Sequence, residues 1–199
     1  DEEEGAPDYP VHLFFSREGY LKKITPQSLR MASDQKYKEG DGPFLQWEAN
    51  NRDELLVFTD GQQCYKTRLS DFDDSKASAL GDYLPTKLGM EPEERAVWAC
   101  IPGDWKGDIL FCFENGKIAR VTLAAYQTQT RRKKLTGAYS DKSPLAAAML
   151  LFSAWLLLGG IGRLQKSDPE RVDAKKLRIR ACGGLVAGAL YLACRYLQL

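Results

Sequence analysis

ELLVFTDGQQCYKTRLSDF, residues 54–72, decides how this chain folds. An apolar, strand-like run reaches Phe58, Asp60 and Gly61 mark a turn, and a second run follows in which polar and apolar residues alternate. Two other stretches have the same form: VHLFFSREGYLKKITPQSL (11–29) and DILFCFENGKIARVTLAAY (108–126). Aligned on Gly19, Gly61 and Gly116, the residue six places on is Thr25, Thr67 or Thr122, and the residue four places on is Lys23, Tyr65 or Arg120. The glycines stand 42 and 55 residues apart. Self-similarity at such a period marks a blade or solenoid array, in which no unit buries its apolar face alone.

Each stretch predicts a β-hairpin, because apolar positions recur with period two and the glycine supplies the positive backbone angle of the turn. FLQWEA (44–49) predicts another strand, and AVWACI (96–101) predicts the first strand of the next blade. Four short strands per unit is the implied plan. The prolines and glycines of residues 73–96 exclude a long helix. Residues 1–10 are expected to be an acidic, exposed linker.

The 199 residues suffice for a buried core, and the 28 basic and 27 acidic residues nearly balance. The charges are spread unevenly. Residues 1–162 carry a net −4 and residues 163–199 a net +5, while five acids crowd into DEEEGAPD at the start. Nucleic-acid binding would therefore rest on local patches and not on a basic bulk. Cys64, Cys100, Cys112, Cys182 and Cys194 form no pair at metal spacing. They read as reduced and structural, which fits a cytoplasmic protein. His12 stands alone, without the acid and nucleophile that catalysis would need. A chain that begins at Asp1 without a signal-peptide pattern is expected to be part of something longer.

The phrases GYLKKITPQSL (19–29), ELLVFTDGQQCYKTRLSDF (54–72), KASALGDYLPTKLG (76–89), ENGKIARVTLAAYQT (114–128) and RRKKLTGAYSDKSPL (131–145) resemble the C-terminal domain of the A subunit of bacterial type IIA topoisomerases, DNA gyrase and topoisomerase IV. The resemblance covers roughly residues 10–151. It implies a mainly β fold, a partial β-pinwheel of about three blades of four-stranded antiparallel sheet over residues 11–144, in which neighbours exchange a strand. It also implies a DNA-binding module that holds or wraps duplex DNA on a basic rim, in the nucleoid. Its partners would be the rest of the A subunit and the ATPase B subunit of an ATP-dependent enzyme. No catalytic residue, metal or cofactor is expected on this chain, since the family's cleavage tyrosine lies in a separate upstream domain.

Lys22, Lys23, Lys66, Arg68 and Arg120 fall in or just after the second strand of each hairpin, where stacked blades would set them along a rim. Phosphate neutralisation needs such repeated cations and no base-reading groups. The bland alternative is that they solvate an outer strand face. In gyrase members a box of the form QRRGGKG anchors the wrapped DNA, and the matching place here reads QKYKEGDG (35–42). Gln35, Lys36 and Lys38 survive, but the paired glycines are lost, and Glu39 and Asp41 add repulsion toward phosphate. Arg131, Arg132, Lys133 and Lys134 form the densest basic cluster and read as a phosphate clamp. Tyr65 and Tyr126 read as packing residues between blades.

After Pro144 the character changes. LAAAMLLFSAWLLLGGI (145–161) and ACGGLVAGALYLACRYLQL (181–199) predict an apolar, helical tail. Each is slightly short of the ~20 residues of a spanning helix. Three readings compete for this tail. One is a membrane hairpin, but its basic connection would face the cytoplasm and leave residues 1–143 outside, away from DNA. The second is a fourth blade, and the third is sequence foreign to the pinwheel. The rival functions are accordingly a propeller-like protein-interaction domain and a membrane-anchored β domain.

Overall fold

A computed structural model describes residues 6–32, 34–128 and 133–151. In chain order the elements are β1 (Pro10–Ser16), β2 (Tyr20–Ile24), α1 (Pro26–Met31), β3 (Pro43–Asn50), β4 (Glu54–Thr59), β5 (Gln63–Arg68), β6 (Asp82–Tyr83), α2 (Leu84–Leu88), β7 (Ala96–Cys100), β8 (Asp108–Phe113), β9 (Ile118–Thr122), β10 (Lys134–Thr136) and β11 (Leu145–Leu151). They form three sheets, in the orders β3-β1-β2-β6, β10-β5-β4-β7 and β11-β8-β9. All strand pairs are antiparallel.

The three hairpins turn in the same way. The N–H of Gly19 donates to Ser16 O (3.2 Å), that of Gln62 to Thr59 O (3.2 Å) and that of Gly116 to Phe113 O (2.9 Å). The residue closing each turn has positive φ: 88° at Gly19, 55° at Gln62 and 77° at Gly116. This is a type I turn followed by a left-handed residue. In the middle hairpin that residue is Gln62 and not Gly61, contrary to the expectation from Asp60-Gly61. Gly61 serves a different need, since a Cβ there would come within 3.0 Å of Glu94 Oε1. The sheet register agrees with the corrected alignment, because Phe15 faces Leu21, Phe58 faces Cys64 and Cys112 faces Ile118.

Each hairpin gains a third strand on the side of its first. β3 pairs with β1, β7 with β4 and β11 with β8, each with a register shift near the turn. AVWACI therefore closes the second blade instead of opening the third. The fourth strand comes from further along the chain: β6, which follows the second hairpin, pairs with β2, and β10, which follows the third, pairs with β5. In blades 1 and 2 the period-two alternation of β1 and β4 directs Val11, Leu13, Phe15, Leu55 and Val57 into one shared core with Leu21, Leu69, Phe72 and Leu84. Phe14 packs separately with Ile24 and Ala77.

The chain divides into two compact units. The first holds residues up to 105 together with 125–144, and the second holds 106–124 with the segment from Leu145. The helical expectation for the start of the tail is wrong for Leu145–Leu151, which is strand β11 on the free edge of β8. Alanine and leucine favour helix in isolation, but an open row of N–H and C=O groups on a neighbouring strand outweighs that propensity. The rest of the predicted apolar, helical tail, residues 152–199, lies outside the described residues. Among the described residues, no helix is long and apolar enough to cross a membrane. The leading residues from Ala6 are also more than a linker: Asn51 Nδ2 donates to Pro7 O (2.8 Å), Asn51 N to Tyr9 O (2.9 Å) and Arg52 Nε to Ala6 O (2.5 Å).

Tyr126 illustrates how the second blade is finished. Its ring meets Phe58 edge-on with centroids 5.2 Å apart, and its hydroxyl donates to Ala138 O at 2.6 Å. Burial pushes the phenol pKa up, so the proton stays on and remains available to donate. Tyr126→Phe keeps the ring contact and is expected to lower stability by about 1 kcal/mol, the net worth of one hydrogen bond. The midpoint of urea unfolding measures it, and an unchanged midpoint would show that the hydroxyl bond adds nothing.

Candidate nucleic-acid interface

The corrected turn register changes which side chains are equivalent. Four residues beyond Gly19, Gln62 and Gly116 stand Lys23, Lys66 and Arg120, and their strand partners are Leu13, Leu56 and Leu110. A cation thus occupies the same place in all three hairpins. Alignment on Gly61 hid this by setting Tyr65 in that position.

Each of these cations is answered by an acid. Lys23 Nζ lies 3.2 Å from Asp74, Lys66 Nζ 3.2 Å from Glu54, and Arg120 Nη2 2.6 Å from Asp108. Glu54 and Asp108 are themselves equivalent, two residues before the facing leucine on the first strand. Hydrogen bonding to Asp108 raises the Arg120 pKa above its usual value. Lys66 also lies 4.8 Å over the Trp105 ring. Charges neutralised in this way have little left for a phosphate.

Lys22 and Lys23 are buried, at 2% and 3% exposure, and neither is placed to meet DNA as the sequence suggested. Strand β2 is an inner strand of its sheet, with both edges paired to β1 and β6, and its two faces are covered by other segments: residues 36, 37 and 77 lie over Lys22, and Asn51, Leu69 and Asp74 lie over Lys23. Lys23 Nζ donates to Asn51 Oδ1 (2.6 Å) and Leu69 O (3.1 Å) besides pairing with Asp74. Lys22 Nζ donates to Lys36 O (2.8 Å) and Ala77 O (3.3 Å) beneath the Tyr37 ring, 4.9 Å to its centroid. Burial lowers the Lys22 pKa from its ordinary value.

The remaining expected residues fall in two places. In blade 2 the exchanged strand β10 brings the last two residues of the basic cluster to β5: Lys134 faces Tyr65, and Lys66 N donates to Lys133 O at 2.8 Å. Arg68, two residues beyond Lys66 on β5, and Lys133 are exposed and form no ion pair among the described residues. Lys134 is spoken for, 2.7 Å from Glu91 and 5.6 Å from the Tyr65 ring centroid. That bond raises the Lys134 pKa and lowers that of Glu91. Arg131 and Arg132 lie outside the described residues.

In blade 1 the segment from Gln35 to Gly42 is a fixed loop. Lys36 N donates to Ala77 O (2.9 Å), and Asp41 N to Lys38 O (3.0 Å). Lys36 and Lys38 are exposed and have no ion pair among the described residues, whereas Gln35 is half-buried. Asp41 has an architectural role: its Oδ1 accepts from Glu18 N (3.0 Å) and Gly42 N (2.7 Å), tying the loop to the first hairpin turn.

Sequence reading missed Glu94, a buried carboxylate at the second hairpin. Its Oε1 accepts from the Thr59 hydroxyl, and its Oε2 from the Tyr65 hydroxyl (2.8 Å) and from Glu91 N (3.0 Å). The run EPEERA (91–96) gives no local sign of burial. The tight approach of Gly61 is its only sequence trace.

The arrangement matches solved structures. It is similar to the C-terminal domain of DNA topoisomerase IV, with a TM-score of 0.64 at 22% identity over 73% of this chain and 47% of that one. It is also similar to the C-terminal domain of ParC from E. coli, with a TM-score of 0.56 at 16% identity over 73% of this chain and 58% of that one. The fold is a β-pinwheel. This chain spans about half the length of the pinwheel chains it matches. No family model and no curated protein sequence matches it.

Proposed function

We propose that this pinwheel is a DNA-holding module of a type IIA topoisomerase A subunit, which grips duplex DNA through its phosphates and does no covalent chemistry itself. On this reading it works in the cytoplasm, at the nucleoid, beside the rest of the A subunit and an ATPase subunit. The observation that carries the reading is the edge of blade 2, where Arg68 on β5 and Lys133, the residue before β10 whose carbonyl accepts from Lys66 N, are both exposed without an ion pair among the described residues, while the neighbouring Lys66 and Lys134 are already compensated. Lys36 and Lys38 offer a second pair of uncompensated charges in blade 1. The fold likeness to topoisomerase C-terminal domains supports the same reading. Exposed cations without base-reading partners suit phosphate contacts, which position a duplex without reading its sequence.

The test is the salt dependence of binding to a mixed-sequence duplex, followed by fluorescence anisotropy. Arg68→Gln with Lys133→Gln is expected to reduce the slope of log affinity against log salt by about 1.8, since each phosphate contact contributes about 0.9. Affinity should fall by at least about tenfold near physiological salt. Lys66→Gln, which removes a compensated charge, should change the slope much less. If the first variant matches the unmodified chain, the exposed cations only solvate the sheet edge, and the protein-interaction reading takes its place.

A further inference from the structure

Lys22 is the one basic side chain of the second strands that is buried without an acid beside it among the described residues. Its ammonium is held by two backbone carbonyls and an aromatic face, all belonging to segments outside its own hairpin. One carbonyl is that of Lys36, in the loop that displays Lys36 and Lys38. The other is that of Ala77, which also accepts the Lys36 N–H at 2.9 Å. Tyr37, between the two displayed lysines, covers the same ammonium at 4.9 Å. A single buried charge therefore grips residues 36 and 37 from beneath and links them to residue 77.

We infer that Lys22 is a positioning residue for DNA binding: its buried ammonium locks the 36–38 loop against blade 1 so that Lys36 and Lys38 face the phosphates together. The inference rests on the DNA-holding reading above. A desolvated ammonium is costly to keep in place, and an aliphatic side chain of similar length would fill the same space. Methionine there could pack, but it could not donate to Lys36 O or Ala77 O. An ungripped loop would scatter its two lysines over many directions, and ordering them again would oppose every phosphate contact.

Two measurements on the full 199-residue chain test this. The first needs no DNA. In Lys22→Met, amide hydrogen exchange at Lys36 should speed up on the order of tenfold as the bond to Ala77 O weakens, while exchange in β4 and β5 stays unchanged. The second is a mutant cycle on a short mixed-sequence duplex. Lys22→Met alone should lower the salt slope by about 1.8, as Lys36→Gln with Lys38→Gln does, and the three changes combined should lose no more than either. Arg68→Gln should add its full loss on top. Unchanged Lys36 exchange in Lys22→Met, or a binding loss that adds to that of the Lys36 and Lys38 changes, would overturn the inference. If removing Lys36 and Lys38 leaves binding unchanged, the DNA reading of this loop fails, and the exchange result still decides whether Lys22 holds it. Should Lys22→Met not fold, Tyr37→Leu, which strips the aromatic cover and keeps both carbonyls, carries the same two measurements with the same expected directions.

Discussion

Gly81→Ala is expected to destabilise the chain by at least about 3 kcal/mol, and the damage should begin in blade 1. Gly81 has φ of 89°, in the left-handed region that costs a side-chain-bearing residue roughly 1 kcal/mol or more. Space is the more severe constraint. A Cβ at this position would lie 2.3 Å from Leu21 O and 2.5 Å from Lys22 Cγ, and a carbonyl inside a sheet cannot step aside. The residue that follows, Asp82, begins β6, so the strain falls where the exchanged strand joins β2. Native-state hydrogen exchange should show β2 losing protection before β4 does. Wild-type unfolding in urea by Gly81→Ala would mean that this close approach is absent in solution.

Glu94→Ala is expected to cost about 3 kcal/mol, because it strips the acceptor from three donors at once. The Thr59 and Tyr65 hydroxyls and the Glu91 N–H all point at one buried carboxylate. Burial and the bond to Glu94 both raise the Tyr65 pKa, which keeps its proton in place for this bond. Glu94→Gln, which retains one carbonyl oxygen, should lose about half as much. Tyr139, whose hydroxyl donates to Thr59 O at 2.5 Å, anchors the segment after β10 to the same residue. The loss should therefore include weaker docking of β10, read as faster proteolysis within residues 125–144. An alanine variant as stable as the native chain would show that the carboxylate's desolvation cost cancels its hydrogen bonds.

The hairpins were legible because their signal is local. Alternation with period two and a turn residue at Gly19 and Gly116 need no knowledge of distant partners. Asp60-Gly61 misled by a single position, and the shift concealed the repeated cation of Lys23, Lys66 and Arg120. What the sequence could not disclose was the company each charge keeps. Lys22 and Lys133 look alike in a string of letters, yet Lys22 lies under a loop that passes over β2, and Lys133 stands at an open sheet edge. Lys23 finds its acid at Asp74 and its amide at Asn51, both far along the chain. The strand nature of Leu145–Leu151 was equally hidden, because the edge of β8 that recruits it is a tertiary feature. The family resemblance supplied the exchange of strands, which composition and spacing alone would not have suggested.

That exchange has a temporal side. Tyr20 pairs with Tyr83, and Gln63 pairs with Thr136, intervals of 63 and 73 residues. A ribosome adding about 5–20 residues per second would leave β2 without its outer neighbour for roughly 3–13 s, and β5 for slightly longer. During that interval the nascent chain exposes a bare sheet edge, the feature most prone to pairing with another chain. Brevity limits the danger, since the bare edges belong to β2, of five residues, and β5, of six, so a wrong partner gains few bonds before the right one arrives. Blade 1 is thus finished by sequence that belongs to blade 2, and blade 2 by sequence that follows β9. Birth order from the ribosome becomes assembly order in these two sheets.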